Sequence, residues 1–200
     1  METNKILDFV KRMKTREPVI FFYSKPEDKR LVLFTYLRAG LDAGEAAIYV
    51  ASQESVDEVR EQMRRFGVSV DRLERSGDLK VIDYRDWYII DGRFDQAKTT
   101  KLWKDSLDTA MARGCKGLRV VGEAWCFFKN NMIKELVEYE KSLHGSLDIP
   151  LNAICAYDSE AFPEQGGLDL IFDLVAAHST VIFTGTREGL VKTATTDKVG

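Results

Sequence analysis

The chain has 200 residues, of which 44% are hydrophobic and 30% are charged, a balance typical of a globular α/β domain with a substantial core. The net charge is −3 and no basic block is present, so non-specific nucleic-acid binding has little support. No stretch approaches the roughly 20 apolar residues that span a bilayer, and the N-terminus lacks the apolar core of a secretory signal. Three cysteines without a CxxC pair argue against disulfide and zinc frameworks, so we expect a cytoplasmic protein without a membrane contact.

Strands and helices are predicted to alternate along the chain. Apolar runs rich in β-branched and aromatic residues indicate strands, and apolar residues at helical spacing indicate helices. In chain order the patterns predict strand 18–23, helix 27–43, strand 46–51, helix 55–66, strand 79–83, helix 96–113, strand 117–122, helix 128–143, strand 151–157, helix 164–177 and strand 180–185. Residues 84–95 fit neither pattern and contain an Asp-Gly turn, and Pro150 marks a loop.

Repeated alternation of strand and helix predicts the fold class. It favours an α/β fold with three layers (helices, sheet, helices) and a mostly parallel sheet. No linker or break in composition divides the chain, so we expect one domain over 1–200. Its core is predicted at about 16–186, followed by a polar tail at 187–200.

The residues just past each predicted strand are the first candidates for a binding site, because ligands bind outside the carboxyl ends of parallel strands. Aromatic and mixed charged side chains dominate these positions, which suits a pocket for a small organic molecule. Trp87 and Trp125 are better candidates than Phe21 and Phe22, because they lie in polar segments. The positions are Tyr23, Ser24, Lys25, Ser52, Gln53, Glu54, Asp83, Tyr84, Arg85, Trp87, Glu123, Trp125, Cys126, Tyr157, Asp158, Thr184 and Thr186.

Signals for catalysis and for metal binding are weak. His144 and His178 each end a predicted helix, where a histidine typically caps the last carbonyl groups. No GxSxG, HExxH or GxGxxG spacing occurs, so no catalytic or metal-ligating residues are predicted. Cys126 and Cys155 lie in apolar runs typical of core cysteines, although a redox or cofactor role stays open.

The segment VIFFYSKPEDKR has the order strand, loop and helix of a phosphate-binding loop, with Lys29 at the lysine position. Such a loop needs glycines for close approach to phosphate and a hydroxyl for magnesium. Here Tyr23 and Asp28 stand where glycines belong, Arg30 stands where the hydroxyl belongs, and Pro26 lacks an N–H donor. The sequence therefore predicts a degenerate P-loop without an intact Mg-ATP site.

Several longer stretches resemble one known family over residues of about 16 to 185. They are FFYSKPEDKRLVLFTYLRAGLDAGEAAIYVAS, DYRDWYIIDGRFD, GLRVVGEAWCF, YEKSL, ICAYDSEAF and LVAAHSTVIFTG. The chain resembles the MEDS domain, a sensory domain that is itself similar to the KaiC/RecA-like ATPases. In the family pattern a histidine often precedes the first strand, whereas Glu17 and Pro18 stand here.

The resemblance implies a RecA/KaiC-like fold and a sensory or regulatory role. Gln53 and Glu54 stand at the positions of the paired acidic residues of the ATPases, so only half of that pair survives, and Glu123 lies near their Walker B position. Because MEDS domains are often fused to output domains and none is recognised here, signalling is expected through a separate kinase or transcription regulator, or through self-association.

We therefore predict a non-catalytic sensor that binds a small organic ligand in the former nucleotide site. The alternatives are a divergent ATPase that uses Lys29, Glu54 and Glu123, and an interaction scaffold. The predicted ligand-binding residues are Tyr23, Ser24, Lys25, Lys29, Gln53, Glu54, Trp87, Glu123, Trp125, Tyr157, Asp158 and His178.

Overall fold

The computed structural model describes residues 2–13, 16–145 and 151–193. The predicted loop at Pro150, half of the predicted polar tail and the side chain of His144 lie outside this description. The strands are β1 Pro18–Tyr23, β2 Ala46–Ala51, β3 Leu79–Asp83, β4 Ile89–Ile90, β5 Arg93–Phe94, β6 Leu118–Glu123, β7 Asn152–Asp158, β8 Thr180–Phe183 and β9 Gly189–Lys192. The helices are α1 Glu2–Lys11, α2 Pro26–Asp42, α3 Val56–Arg65, α4 Val70–Ser76, α5 Gln96–Ala112, α6 Trp125–Lys129, α7 Ile133–Gly145, α8 Phe162–Gln165 and α9 Gly167–Ala176.

Seven of the strands form one sheet in the order β3-β2-β6-β7-β1-β8-β9. All neighbouring pairs are parallel except β8 and β9, which are antiparallel. The strands β4 and β5 form a separate two-stranded hairpin. All six predicted strands are therefore present, and the mostly parallel sheet is confirmed.

Helices cover both faces of the sheet. In β1, Val19 and Phe21 point toward the layer formed by α1 to α4, whereas Ile20 and Phe22 point toward the layer that contains α5, α6, α7 and α9. Strands that are buried on both faces carry apolar residues at every position, which explains the unbroken apolar runs in the sequence. The three-layer α/β architecture is confirmed.

Two predicted helices are interrupted. The helix predicted at 128–143 is instead two helices, α6 and α7, separated where Asn131 adopts a φ of 56°. The helix predicted at 164–177 is divided into α8 and α9 at Gly166, whose φ is 129°. A positive φ is incompatible with a continuous α-helix, so each of these residues ends a turn.

Four elements were not predicted from the sequence: α1, α4, β9 and the hairpin of β4 and β5. The hairpin lies in the irregular stretch 84–95, after a short 3₁₀ turn at Tyr84–Asp86, and the Asp-Gly pair forms its turn. Ile6 and Val10 of α1 are fully buried, and α1 packs against α2 and β9. Packed residues therefore lie on both sides of the range 16–186 that was predicted for the core. Among the described helices, none has the length and apolar character needed to cross a membrane.

Candidate functional site

The carboxyl ends of four neighbouring strands bring polar side chains to one edge of the sheet. Tyr23, Glu123 and Asp158 are the last residues of β1, β6 and β7, and Gln53 lies two residues after β2. The parallel register places Tyr23 beside Asp158, and Glu123 beside Ala156. Residues that are distant in the sequence thus meet at the edge where ligands bind in α/β sheets.

Lys29 lies at the centre of this edge. Because α2 begins at Pro26, Lys29 is in the first turn of that helix, and its side chain is 2% exposed. The Lys29 Nζ is 2.8 Å from Glu54 Oε2, 2.9 Å from Glu123 Oε1 and 3.3 Å from Gln53 Oε1. An ammonium group has three N–H donors, and these three acceptors occupy all of them.

The carboxylate of Glu123 is fully buried and is the main partner of Lys29. Its Oε1 also accepts a hydrogen bond from the hydroxyl of Tyr49. Its Oε2 accepts from the backbone N–H groups of Ser52 at 2.7 Å and Gln53 at 2.9 Å. Four donors satisfy this carboxylate, which offsets the cost of removing its charge from water.

Further hydrogen bonds extend this group along the strand ends. Gln53 accepts from the Tyr23 hydroxyl at 2.5 Å through Oε1 and donates to Asp158 Oδ2 at 2.7 Å through Nε2. Glu54 also pairs with Arg30 at 2.5 Å. We call the connected side chains the Lys29 network; they are Tyr23, Lys29, Arg30, Tyr49, Gln53, Glu54, Glu123 and Asp158.

The ion pair between Lys29 and Glu54 favours the charged form of both groups. Burial tends to lower the pKa of Lys29, but the charge of Glu123 and hydrogen bonds to Glu54 and Glu123 outweigh it and raise the pKa above 10.5. Burial tends to raise the pKa of Glu54, but hydrogen bonds from Lys29 and Arg30 outweigh it and lower the pKa below 4.5. Neither Lys29 nor Glu54 is therefore expected to titrate near neutral pH.

A cavity of about 210 Å³ lies on the other face of the sheet, between β6 and β7 on one side and α5 and α7 on the other. Tyr88, Trp103, Phe127 and Tyr139 form its aromatic lining. The cavity extends from the exposed backbone near Arg16 to the buried end of β6. We call it the aromatic cavity.

Glycine is required in the wall of this cavity. A Cβ atom at Gly122 would lie 2.2 Å from the hydroxyl oxygen of Tyr88, which is closer than atoms can approach. The Tyr88 ring in turn contacts the rings of Trp103, Phe127 and Tyr139, with centroids 5.5 to 6.4 Å apart. Gly122 therefore allows an aromatic ring to close over β6 beside Glu123, which also lines the cavity.

A second polar cluster lies beside the aromatic cavity and is almost completely buried. We call it the Glu140 cluster; its members are Glu140, Cys155, Tyr157 and His178. The carboxylate of Glu140 on α7 accepts from the Tyr157 hydroxyl at 2.6 Å and from the Cys155 thiol at 3.4 Å. The His178 Nε2 lies 3.6 Å from Glu140 Oε2, and the His178 Nδ1 lies 2.7 Å from the carbonyl oxygen of Leu174. Burial, followed by the charge of Glu140, raises the pKa of the Cys155 thiol well above 9.0.

Comparison with known proteins identifies the family. A family model for MEDS, the methanogen/methylotroph, DcmR sensory domain, matches residues 19–179. The chain belongs to the MEDS family. No curated protein matches this MEDS domain significantly.

A KaiC-like protein from the hyperthermophilic archaeon Pyrococcus horikoshii OT3 has a similar solved structure. The TM-score is 0.60, and the alignment covers 88% of the MEDS domain and 76% of that chain with 13% sequence identity. At this identity the similarity shows the fold alone. The expected KaiC-like fold is therefore confirmed.

The MEDS domain brings together six of the twelve predicted ligand-binding residues and separates the others. Those in the Lys29 network are Tyr23, Lys29, Gln53, Glu54, Glu123 and Asp158. Ser24 and Lys25 form the connection from β1 to α2, and the Lys25 side chain is exposed. Trp125 contacts Phe128, and Trp87 packs against Trp103 with centroids 4.5 Å apart. Tyr157 and His178 lie in the Glu140 cluster, away from Lys29.

The sequence interpretation missed Glu140 and the aromatic side chains of the cavity. A signal for Glu140 is present, because it shares one face of α7 with Leu136 and Leu143 at helical spacing. A carboxylate on an apolar helix face predicts a buried charge with a partner. The His178 ring does bond the Leu174 carbonyl at the end of α9, as a capping histidine is predicted to do.

Proposed function

We propose that this MEDS domain is a sensor that binds a small organic molecule in the aromatic cavity and does not hydrolyse ATP. The observation that carries the proposal is the buried Lys29, whose three donors are already taken by Glu123, Glu54 and Gln53. In a phosphate-binding loop the same lysine would bind phosphate oxygens. In this protein the carboxylates of Glu54 and Glu123 accept the hydrogen bonds that phosphate oxygens would accept from the lysine.

The connection from β1 to α2 supports the loss of nucleotide binding. Only Ser24 and Lys25 separate the two elements, so no loop surrounds a phosphate group. Pro26 offers no N–H donor, and Glu27 and Asp28 add negative charge to the first turn of α2. A triphosphate would have to displace Glu54 and Glu123 from Lys29 and approach these carboxylates at close range. These features support the prediction of a degenerate P-loop.

The aromatic cavity is a better place for a ligand than the Lys29 network. A cavity of about 150 Å³ in another protein holds benzene, so 210 Å³ accommodates a slightly larger molecule. The aromatic lining supplies apolar contact area, and Glu140 can orient a hydrogen-bond donor. Glu123 lines the cavity where β6 ends, while its carboxylate binds Lys29 on the opposite face of the sheet. A ligand that shifts this end of β6 would therefore change the hydrogen bonds of Lys29.

A sensory domain needs an output. We propose that the signal passes in the cytoplasm to a separate kinase or transcription regulator, or to a second copy of the chain. Ligand-dependent rearrangement of the Lys29 network is the change that such a partner would detect, since this network reaches the surface at Arg30 and Glu54.

Calorimetric titration of the purified chain with Mg-ATP tests the loss of nucleotide binding. We expect no heat of binding and no release of phosphate over hours of incubation. Tight binding of Mg-ATP, accompanied by hydrolysis, would favour the divergent ATPase and overturn the proposal.

Thermal unfolding with phenol, cyclohexanol and benzylamine as probes tests the cavity. A probe present at about 100 times its Kd should raise Tm by about 5–10 °C. Leu136→Phe fills the cavity from α7 and should abolish the shift, whereas Leu102→Phe on α5, outside the cavity lining, should keep it. Circular dichroism verifies that both variants fold. The cavity assignment is wrong if no probe raises Tm, or if Leu136→Phe responds as the control does.

A further inference from the structure

The Glu140 cluster contains three side chains of the types that bind transition metals. Glu140, Cys155 and His178 each place one ligand atom within 4.8 Å of the other two. Their side chains come from α7, β7 and the end of α9, and all three residues are at least nine-tenths buried. An imidazole, a thiol and a carboxylate in one buried place form the mixed donor set that suits zinc.

Two of the three distances between the ligand atoms are close to those around a tetrahedral ion, and the third pair, Cys155 Sγ and His178 Nε2, lies within 4.8 Å. Zinc bonds of about 2.0 Å to nitrogen or oxygen and about 2.3 Å to sulfur separate tetrahedral ligands by roughly 3.3–3.5 Å. The Glu140 Oε2 lies 3.4 Å from Cys155 Sγ and 3.6 Å from His178 Nε2. The ion would therefore fit with shifts of only a few tenths of an ångström at these two edges.

The surrounding groups orient the ligands as they do in metal sites. The His178 Nδ1 donates to the carbonyl oxygen of Leu174 at 2.7 Å, since a carbonyl can only accept. This bond leaves Nε2 as the metal-binding nitrogen and directs it at Glu140 Oε2. The Tyr157 hydroxyl holds the other oxygen of Glu140 at 2.6 Å. Such outer hydrogen bonds fix the tautomer and orientation of ligands in known sites.

We propose that Glu140, Cys155 and His178 bind one zinc ion. The Cys155 thiol loses its proton to solvent as the sulfur binds the metal, so two anionic ligands and a neutral imidazole balance the charge of a divalent cation. A buried site without net charge avoids most of the cost of desolvating an isolated ion. This proposal does not depend on the ligand proposed for the aromatic cavity.

The ion would lie at the edge of the aromatic cavity, because Glu140 and Cys155 both line it. Three protein ligands leave the fourth tetrahedral position to water or to a donor atom of another molecule, as in zinc sites that bind substrates. Molecules with an alcohol or thiol group are the class that would fill this position from the cavity. The zinc ion thereby gives the apolar cavity a means to select polar head groups.

No spacing in the sequence could have indicated this site. Its ligands lie 15 and 23 residues apart on separate elements, so neither a CxxC pair nor an HExxH helix forms. Only the packing of α7 and α9 on the same face of the sheet brings them together.

Titration of the metal-free full chain with Zn²⁺ and Co²⁺ under reducing conditions tests the proposal. We expect one ion per chain by elemental analysis, and a visible absorption spectrum of tetrahedral cobalt with a thiolate-to-cobalt band. Cys155→Ser should lose the thiolate band and weaken zinc binding by about 100-fold or more, and Tyr157→Phe should weaken it by about 10–100-fold with the thiolate band retained. Cys115→Ser, which changes a partly exposed cysteine elsewhere, is the matched control and should bind as the unaltered chain does.

The thiolate-to-cobalt band can be measured in the unaltered chain, so the site can be tested even if Cys155→Ser does not fold. A chain that binds less than one ion after dialysis, or binds cobalt without a thiolate band, contradicts the site. The site is also wrong if the band disappears in Cys115→Ser, or if folded Cys155→Ser keeps the full affinity.

Discussion

At the scale of single residues, Lys29 and Glu123 show how a buried charge is stabilised. Each is removed from water, and each has its hydrogen-bonding capacity filled by groups from other elements. A buried ion pair contributes little net stability compared with an apolar pair, but removal of one partner leaves an uncompensated charge. We therefore expect the pair to contribute more to the arrangement of the strand ends than to the net stability of the fold.

A double-mutant cycle measures this coupling. Lys29→Met should lower the free energy of unfolding by about 3–5 kcal/mol, because Glu123 and Glu54 both lose their cation. In the Glu123→Gln background the same change should cost about 1–3 kcal/mol less, since the fully buried carboxylate is gone. Urea denaturation of the four proteins gives the coupling energy, and simple additivity would show that the two side chains do not interact.

Glu54 should make the free energy of unfolding decrease at acidic pH. Its folded-state pKa lies below the ordinary value of 4.5, so its contribution is present above about pH 4.5 and is lost as the pH falls through the folded-state pKa. Lys29 has a raised pKa, so its contribution is complete below pH 10.5 and is lost only above it. The free energy of unfolding, measured by urea denaturation, should therefore decrease less steeply from pH 7 to pH 3 for Glu54→Gln than for the unaltered chain. Glu138→Gln, an exposed change on α7, should keep the original slope.

Some site residues could be predicted individually, and others could not. The rule that ligands bind at the carboxyl ends of parallel strands grouped Tyr23, Glu123 and Asp158, and the structure places them in one network. His178 was also predicted as a ligand-binding residue of this site, but it precedes β8 and lies in the Glu140 cluster. The contacts of Glu140 depend on which face of α7 meets the sheet, which local patterns do not determine.

At the scale of elements, local side-chain bonds decide where helices begin. The hydroxyl of Ser55 accepts from the Glu58 N–H, and the Glu58 carboxylate accepts from the Ser55 N–H at 2.9 Å. This capping box satisfies two donors at the start of α3. The N-cap residue of α4 is also a serine, Ser69, but it makes no such bond.

The two serines form a matched pair for a test. Ser55→Ala should lower the free energy of unfolding by about 1 kcal/mol, because the Glu58 N–H at the start of α3 loses its acceptor. Ser69→Ala should change it by less than about 0.5 kcal/mol. Chemical denaturation measures both, and equal effects would show that the capping box does not contribute.

Helix continuity was harder to predict than helix position. The apolar spacing continues through 128–143 and through 164–177, so periodicity alone predicts unbroken helices. The breaks depend on the left-handed conformations of Asn131 and of Gly166 with Gly167, which are permitted but not required by these residue types. The short helix α4 and the strand β9 each have too few residues for a clear period.

At the scale of the whole molecule, Arg119 joins the N-terminal helix to the sheet. Its guanidinium group donates to the carbonyl oxygens of Val10 at 3.0 Å, Lys11 at 3.3 Å and Tyr36 at 2.9 Å, and it pairs with Glu45. Arg119 is 4% exposed, so its hydrogen bonds connect α1, α2 and β6 largely out of contact with water. Ile6, Val10 and Met13 recur at helical spacing, but this short pattern does not show which distant residues, such as Arg119, α1 contacts.

Arg119→Lys tests this connection. Lysine keeps the charge but cannot reach several acceptors in different directions, so the free energy of unfolding should fall by about 3 kcal/mol. Arg113→Lys alters a partly exposed arginine that pairs with Asp78 at 3.1 Å, and it should cost less than about 1 kcal/mol. Thermal and urea denaturation compare the two, and similar losses would contradict a special role for Arg119.

The arrangement of strands followed from the sequence more completely than the site did. Six buried apolar runs separated by helical segments specify a parallel sheet, and the chain could bury them in few other ways. The aromatic cavity depends on how Tyr88, Trp103 and Tyr139 pack, and packing is decided by the whole interior. Composition indicated aromatic residues in polar segments but could not indicate which rings leave a space between them.

The hydrogen bonds that the Glu123 carboxylate accepts from two backbone amides offer a way to test for binding in the cavity. The amide hydrogens of Ser52 and Gln53 lie beyond the end of β2, and both donate to the Glu123 carboxylate rather than to a neighbouring strand. Their rates of hydrogen exchange with deuterated water therefore report the position of one side chain. If occupancy of the cavity moves Glu123, these two adjacent amides should exchange faster, whereas amides in the centre of β2 keep their rates. Exchange at these two amides would then report occupancy of the cavity, and NMR can measure it without a label on the ligand.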